Sequence, residues 1–182
     1  DVNPLNLFRI TWKNEAKETG GLYQAVPNYV EIPSELSGVP CRILAMAGKW
    51  FPTGCHKVGA SFGCLAPRLV TGQFDATYHH AVWPSTGNYC RGGAFNSKLL
   101  AVDSVAILPA EMSKERFEWL SKIAGQVIAT PGCESNVKEI FDKTWELKQD
   151  PSMMIFNQFA EMGNPLWHYN VTGYALRDLF EN

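Results

Sequence analysis

Three short stretches of this 182-residue chain hold residues whose types and spacing could do chemistry. The first is Phe51-Pro52-Thr53-Gly54-Cys55-His56-Lys57, a Pro-Thr-Gly turn that delivers one lysine to the start of an apolar run. A helix macrodipole favours anions at its start, so a lysine there is misplaced unless its amine is put to use. Once desolvated, such an amine is a nucleophile towards a carbonyl; the plain alternative is a solvated surface lysine. The second is Pro84-Ser85-Thr86-Gly87-Asn88-Tyr89-Cys90-Arg91-Gly92-Gly93. Hydroxyls and free backbone N–H groups where a helix opens make an anion site, suited to a carboxylate or a phosphate; the alternative is an ordinary capped turn. The third is Asn157-Gln158-Phe159, followed by Gly163-Asn164-Pro165 and His168-Tyr169. A polar pair at the end of an apolar run suits a mouth that faces a ligand, and equally a polar strand end before a turn.

These loops need elements to hold them. Residues 1–28 are mixed and suggest loops around short elements. Strands are predicted over 29–32 and 42–47, the second as a buried strand bounded by Pro40 and Gly48. A helix is predicted over 57–70. Then strands at 77–82, 104–108, 126–129 and 153–156 alternate with helices at 92–101, 113–124 (with Ser113 as its cap) and 135–147. Such alternation implies βαβ units and a parallel sheet, hence an α/β three-layer sandwich with a mostly parallel sheet. Ligands on these sheets sit at the carboxyl ends of the strands, which selects loops 51–57, 84–92 and 157–165.

Composition narrows the class. Sixteen basic and eighteen acidic residues leave a net charge of −2 with no basic block, against nucleic acid as the main partner. No run of 18 apolar residues appears, so no membrane span is expected. No basic start leads into an apolar stretch of the kind that marks a secretion signal. Five cysteines, an odd number without C-x-x-C spacing, favour reduced thiols in a cytoplasmic protein over a disulfide framework or a zinc site. His79-His80 would point to opposite faces of a strand and would not chelate one metal.

Taken together the three loops resemble those of the fold-type II pyridoxal-phosphate enzymes, the cysteine synthase and cystathionine β-synthase group. The family's P-T-G-S-x-K turn reads Pro52-Thr53-Gly54-Cys55-His56-Lys57, and its S/T-S-G-N-T loop reads Ser85-Thr86-Gly87-Asn88-Tyr89. Its Q-Q-F…N-P-x-x-H-Y-x-T-T-G segment reads Asn157-Gln158-Phe159…Asn164-Pro165-Leu166-Trp167-His168-Tyr169-Asn170-Val171-Thr172-Gly173. Asn88 stands 31 residues after Lys57 and Gln158 stands 101 after it, close to the family's spacings. The resemblance runs from about Val26 to Gly173.

The resemblance implies that Lys57 is the Schiff-base lysine for pyridoxal 5′-phosphate and then the base at the substrate Cα. It implies that Asn88 hydrogen-bonds the cofactor's 3′ oxygen, and that Ser85, Thr86, Gly87, Gln158 and the loop residue Tyr89 bind the substrate carboxylate. The expected reaction is α,β-elimination or β-replacement on a serine- or cysteine-like amino acid, with a homodimer or a partner chain completing the protein. Departures beside the site include Cys55, His56, Tyr89 and Cys90, and Arg91 is then an unusual charge next to them. Arg91 or His56 could meet a second acidic group on the substrate. The family's phosphate cradle would follow the third motif, so residues 1–56 correspond to the leading part of the large domain, 57–163 to the small parallel-sheet domain and 164–182 to a return segment. The rival reading is a noncatalytic or incomplete subunit that needs a partner chain to complete the cofactor site. A nucleotide-binding doubly wound domain is disfavoured, because no G-x-G-x-x-G follows a strand.

Overall fold

The computed structural model describes residues 2–182, apart from the side chain of Lys17. Two 3-10 turns, Pro4–Arg9 and Lys17–Thr19, open the chain. Strand β1 (Tyr29–Ile32), the single turn α1 (Ser34–Ser37) and strand β2 (Ile43–Met46) follow, and the two strands pair antiparallel as a separate ribbon. Gly38 closes α1 at φ +70°, a conformation that favours glycine. The expected buried strand at 42–47 is therefore corrected. β2 is largely half-exposed and β1 is exposed throughout.

The remainder alternates as expected: α2 (Lys57–Val70), β3 (His80–Pro84), α3 (Asn88–Leu99), β4 (Ser104–Pro109), α4 (Lys114–Leu120), β5 (Gln126–Thr130), α5 (Val137–Leu147) and β6 (Met153–Ile155). The chain ends with α6 (Gly163–Trp167), a π-helical turn over His168–Thr172 and α7 (Gly173–Glu181). Strands β3 to β6 form one parallel sheet in the order β5-β4-β3-β6. β4 is buried along its whole length, and in β3 Ala81, Val82 and Trp83 are fully covered, as parallel strands with helices on their faces must be.

One core cluster joins Ala60, Cys64 and Leu65 of α2, Tyr89, Cys90 and Ala94 of α3 and Leu120 of α4 to Trp83 and Phe156. On the other face Ile140 of α5 packs on Val82, Val105 and Ile107. Glycines set how closely these layers approach. A Cβ on Gly93 would fall 2.0 Å from the Trp83 ring, and one on Gly59 would fall 1.9 Å from the Trp167 ring. Trp83 stacks on Phe156 at 4.4 Å between centroids and donates its indole N–H to Ser97 Oγ at 3.0 Å.

Three boundaries differ from expectation. The strand expected from Thr77 starts at His80, because Asp75 Oδ1 accepts from the Thr77 backbone N–H at 2.8 Å and holds residues 76–78 in a turn. The helix expected from Gly92 starts four residues earlier, at Asn88. Ser113 stands at the cap position of α4 but its side chain makes no capping hydrogen bond. His79 lies before the strand, with Nδ1 accepting from the Asp75 N–H at 2.9 Å, whereas His80 pairs with Asp103 at 2.7 Å.

Candidate active site

The sheet has its topological switch point beside β3. α3 leads from β3 to β4 on one side, and β6 adds on the other. A crevice therefore opens at the carboxyl ends of β3 and β6. The loops there are 85–87 and 156–162, and the ladder is continuous up to them, with the Phe156 N–H donating to the Val82 carbonyl at 2.9 Å. Two of the three stretches singled out by sequence thus meet where such a fold places ligands.

The third is brought in by helix packing. Lys57 is the first residue of α2, and α3 lies against that end. A Cβ on Gly92 would fall 2.8 Å from the Lys57 carbonyl oxygen and from Val58 Cα, so only glycine allows this approach. Asn96 then fastens the two helices, donating to the Val58 carbonyl at 2.7 Å and to Ser61 Oγ at 2.8 Å. Asn88, one turn before Gly92, is thereby held beside the start of α2. α6 reaches α2 in the same manner: a Cβ on Gly63 would fall 2.5 Å from the Gly163 carbonyl. Asn164 Nδ2 donates to the Gln158 carbonyl at 2.9 Å, which fixes the 157–159 loop on the same assembly.

Lys57 is partly buried, Asn88 exposed and Gln158 partly buried. Among the described residues none of their three side chains makes a hydrogen bond or an ion pair. Ser85 is buried, and its Oγ accepts from the Gly87 N–H at 3.0 Å, shaping the turn. Thr86 is partly buried and its carbonyl accepts from Arg116 Nη1 at 3.1 Å. Gly87 has φ +154° and no side chain caps α3, so the N–H groups of its first turn stay available to an anion.

Tyr89 is placed differently from expectation. It is 1% exposed, packs edge-on against Trp83 at 5.5 Å and directs its hydroxyl to Cys64 Sγ at 3.6 Å inside the core. One residue into the helix, its side chain turns inward under the loop rather than towards the crevice. Cys90 is also buried, and desolvation pushes its thiol up to about 12, which leaves it inert.

The lysine turn rests on an aromatic shelf. His56 stacks on Trp12 at 5.6 Å and meets His168 edge-on at 5.4 Å. Thr172 Oγ1 joins both sides, accepting from Trp12 Nε1 at 2.8 Å and lying 2.9 Å from His168 Nδ1. Burial lowers the pKa of both histidines, and the neighbouring Lys57 charge lowers it further. Two participants were not singled out by sequence. Arg116 comes from the next βα unit and is visible only once β4 lies beside β3. Trp12 lies in the stretch read as loops. A cavity of about 470 Å³ between α5 and β6, lined by Trp145, Lys148 and Met153 among others, touches neither Lys57 nor the 85–88 loop.

A parallel α/β sheet with a free lysine, a free asparagine and an uncapped helix start at its switch point defines a strand-end ligand site. No family model matches the chain. It is 33% identical over 100 residues to a cysteine synthase of Staphylococcus aureus (strain Mu50 / ATCC 700699), a match covering 55% of this chain and 32% of that protein. It is 29% identical over 97 residues to the cystathionine beta-synthase of Oryctolagus cuniculus, covering 49% of this chain and 17% of that one. Among solved structures, a hydrogen sulfide-producing enzyme (Fn1220) from Fusobacterium nucleatum superposes with a TM-score of 0.72 at 21% identity, over 93% of this chain and 51% of that one. The O-acetylserine dependent cystathionine beta-synthase from Helicobacter pylori gives 0.72 at 19% identity, over 81% and 49%. Over the matched residues the chain is similar in sequence to cysteine synthase and cystathionine beta-synthase, and it shares its fold with the two solved structures. The chain spans about half the length of those structures and less of the curated relatives.

Proposed function

We propose that this chain carries the lysine-bearing part of a pyridoxal-phosphate enzyme that performs α,β-elimination or β-replacement on a serine- or cysteine-like amino acid. The observation that supports this most is the convergence of Lys57, Asn88 and Gln158, each with an unengaged polar side chain, around the uncapped start of α3. The residues fit the cofactor: Lys57 offers a free amine and Asn88 a free amide on adjacent helix starts, held together by the Gly92 contact. When bound, pyridoxal phosphate supplies an electron sink for negative charge developing at the substrate Cα.

The chain's own residues divide the work. Lys57 would hold the cofactor through Nζ, and its free amine would take the proton from the substrate Cα and later return one. Asn88 would donate a hydrogen bond to the cofactor's 3′ oxygen. The Thr86 and Asn88 N–H groups, the Ser85 and Thr86 hydroxyls and the Gln158 amide bind the substrate carboxylate, helped by the positive end of α3, while the Gly87 N–H stays with Ser85 Oγ and shapes the turn. Tyr89 is left out of this set because its ring is in the core.

Residues 57–163 serve in this reading as the small domain, and 1–56 with 164–182 as parts of a larger one. The protein acts in the cytoplasm on a small amino acid, as a homodimer or with a partner chain that adds the rest of the larger domain. Titration of the natural protein with pyridoxal phosphate, followed by absorbance, tests the reading. A visible band that is lost in Lys57→Ala but kept in Lys49→Ala is the expected result. A band indifferent to Lys57, or none in the natural protein, would overturn it.

A further inference from the structure

Two arginines flank the 85–88 loop from the α3–α4 seam. Arg116 donates Nη1 to the Thr86 carbonyl at 3.1 Å. Its guanidinium lies against Gly87, where a Cβ would fall 2.3 Å from Nη1. Arg91, in the first turn of α3, places its guanidinium 4.9 Å above the ring of Trp119, one turn along α4 from Arg116. Neither arginine has a carboxylate partner among the described residues. Arg91 Nε is fully covered and makes no hydrogen bond.

Two like charges on one seam repel, and here both are partly withdrawn from water. Burial and the neighbouring Arg116 charge both make the Arg91 cation less favourable. The chain contains 18 acidic residues, yet none is spent on this pair. Cys55, on the lysine turn, lies within electrostatic reach of Arg91, so the seam borders the turn that delivers Lys57.

We propose that Arg91 and Arg116 together recognise a negatively charged side-chain group, a carboxylate or a phosphate, on the amino-acid substrate. This deepens the reading of the preceding subsection and rests on it. Guanidinium groups suit the role because their planar forks bind carboxylate and phosphate oxygens in pairs. The substrate's own α-carboxylate goes to the start of α3, and its second anionic group lies towards α4. Arg116 also orients the loop through the Thr86 carbonyl, so its charge and its hydrogen bond act on the same substrate.

Calorimetric titration of the natural protein with O-phospho-L-serine, L-aspartate and L-serine tests the proposal. At least one anionic probe is expected to bind about tenfold or more tightly than L-serine. That gap should close in Arg91→Gln while the L-serine affinity holds and should narrow in Arg116→Gln, and Arg91→Lys should recover part of it. Tighter binding of O-phospho-L-serine marks a phosphate subsite; tighter binding of L-aspartate marks a carboxylate one. No gap in the natural protein, a gap that survives in both variants, or an equal loss for all three probes would overturn the proposal. Borohydride trapping of pyridoxal phosphate on Lys57 is read separately. Trapping without the gap sinks only the arginine pair, and the gap without trapping sinks only the cofactor reading.

Discussion

The parallel sheet β3–β6 with its helices and the segments that flank it solve the burial problem in different ways. In β3, Ala81, Val82 and Trp83 have no exposure, and helices cover both faces. In β1, Val30 is 61% exposed and Tyr29 41%, and among the described residues the ribbon β1–β2 has no further strand beside it. α7 likewise exposes Phe180 at 77%, and the π-helical turn before it exposes Tyr169 at 76%. The sheet is covered on both faces, whereas the flanks bury Trp12, Phe51 and Trp167 against α2 and α3 and leave further apolar surface unmatched within these residues. A two-stranded ribbon is marginal alone in water. The candidate site lies at the junction: Asn88 and Gln158 follow strands of the parallel sheet, while the shelf under Lys57 takes Trp12 and His168 from the flanks.

The contrast can be broken most sharply at Trp83. Trp83→Ala removes a fully buried ring stacked on Phe156 and should cost about 3–5 kcal/mol in denaturant unfolding. Val30→Ala, on the exposed ribbon, should stay within about 0.5 kcal/mol. Comparable losses at both positions would mean that the flank is already packed.

Gly92→Ala acts at the junction itself. Its Cβ would fall 2.8 Å from backbone atoms of Lys57 and Val58, which cannot swing aside as a side chain can. Destabilisation of about 1–3 kcal/mol is expected, together with weakened pyridoxal-phosphate uptake as α3 is pushed from α2. Unchanged uptake would separate the helix contact from the site.

A smaller effect is expected from pH. His56 is lowered by burial, then by His168 and Lys57, and His168 by burial, then by Lys57. The unfolded chain therefore binds these protons more readily than the folded one. Their contribution to stability is complete above the ordinary histidine value of about 6.5 and is lost as pH falls below it. Thermal melts between about pH 7.5 and 5.5 should show this loss, reduced in His56→Leu, which keeps the bulk against Trp12 without the titrating ring. An identical loss in the variant would assign the acid sensitivity elsewhere.

What the sequence made legible follows the same division. The helix over 57–70 is found at its expected residues, because a Pro-Thr-Gly turn precedes it and Gly72 follows it. The strands β3 to β6 were readable because parallel strands show as apolar runs between turn signals. The start of α3 was not, since Asn88-Tyr89-Cys90-Arg91 has the composition of a loop. Burial of Tyr89 and Cys90 draws it into helix. The same burial takes Tyr89 out of the expected carboxylate set. β2 misled in the other direction, for an apolar run does not distinguish a strand already covered from one that is not. Lys57, Asn88 and Gln158 were legible as motif positions. Arg116 was not, because its relation to Thr86 exists only across two strands.

The central claim is that Lys57 is the residue through which the chain holds its cofactor. The most direct measurement is borohydride reduction of the natural protein with pyridoxal phosphate, followed by peptide mapping. The expected result is one pyridoxyl label, on Lys57, absent from Lys57→Ala. A label on another lysine at the same occupancy, or no label at all, would contradict the account.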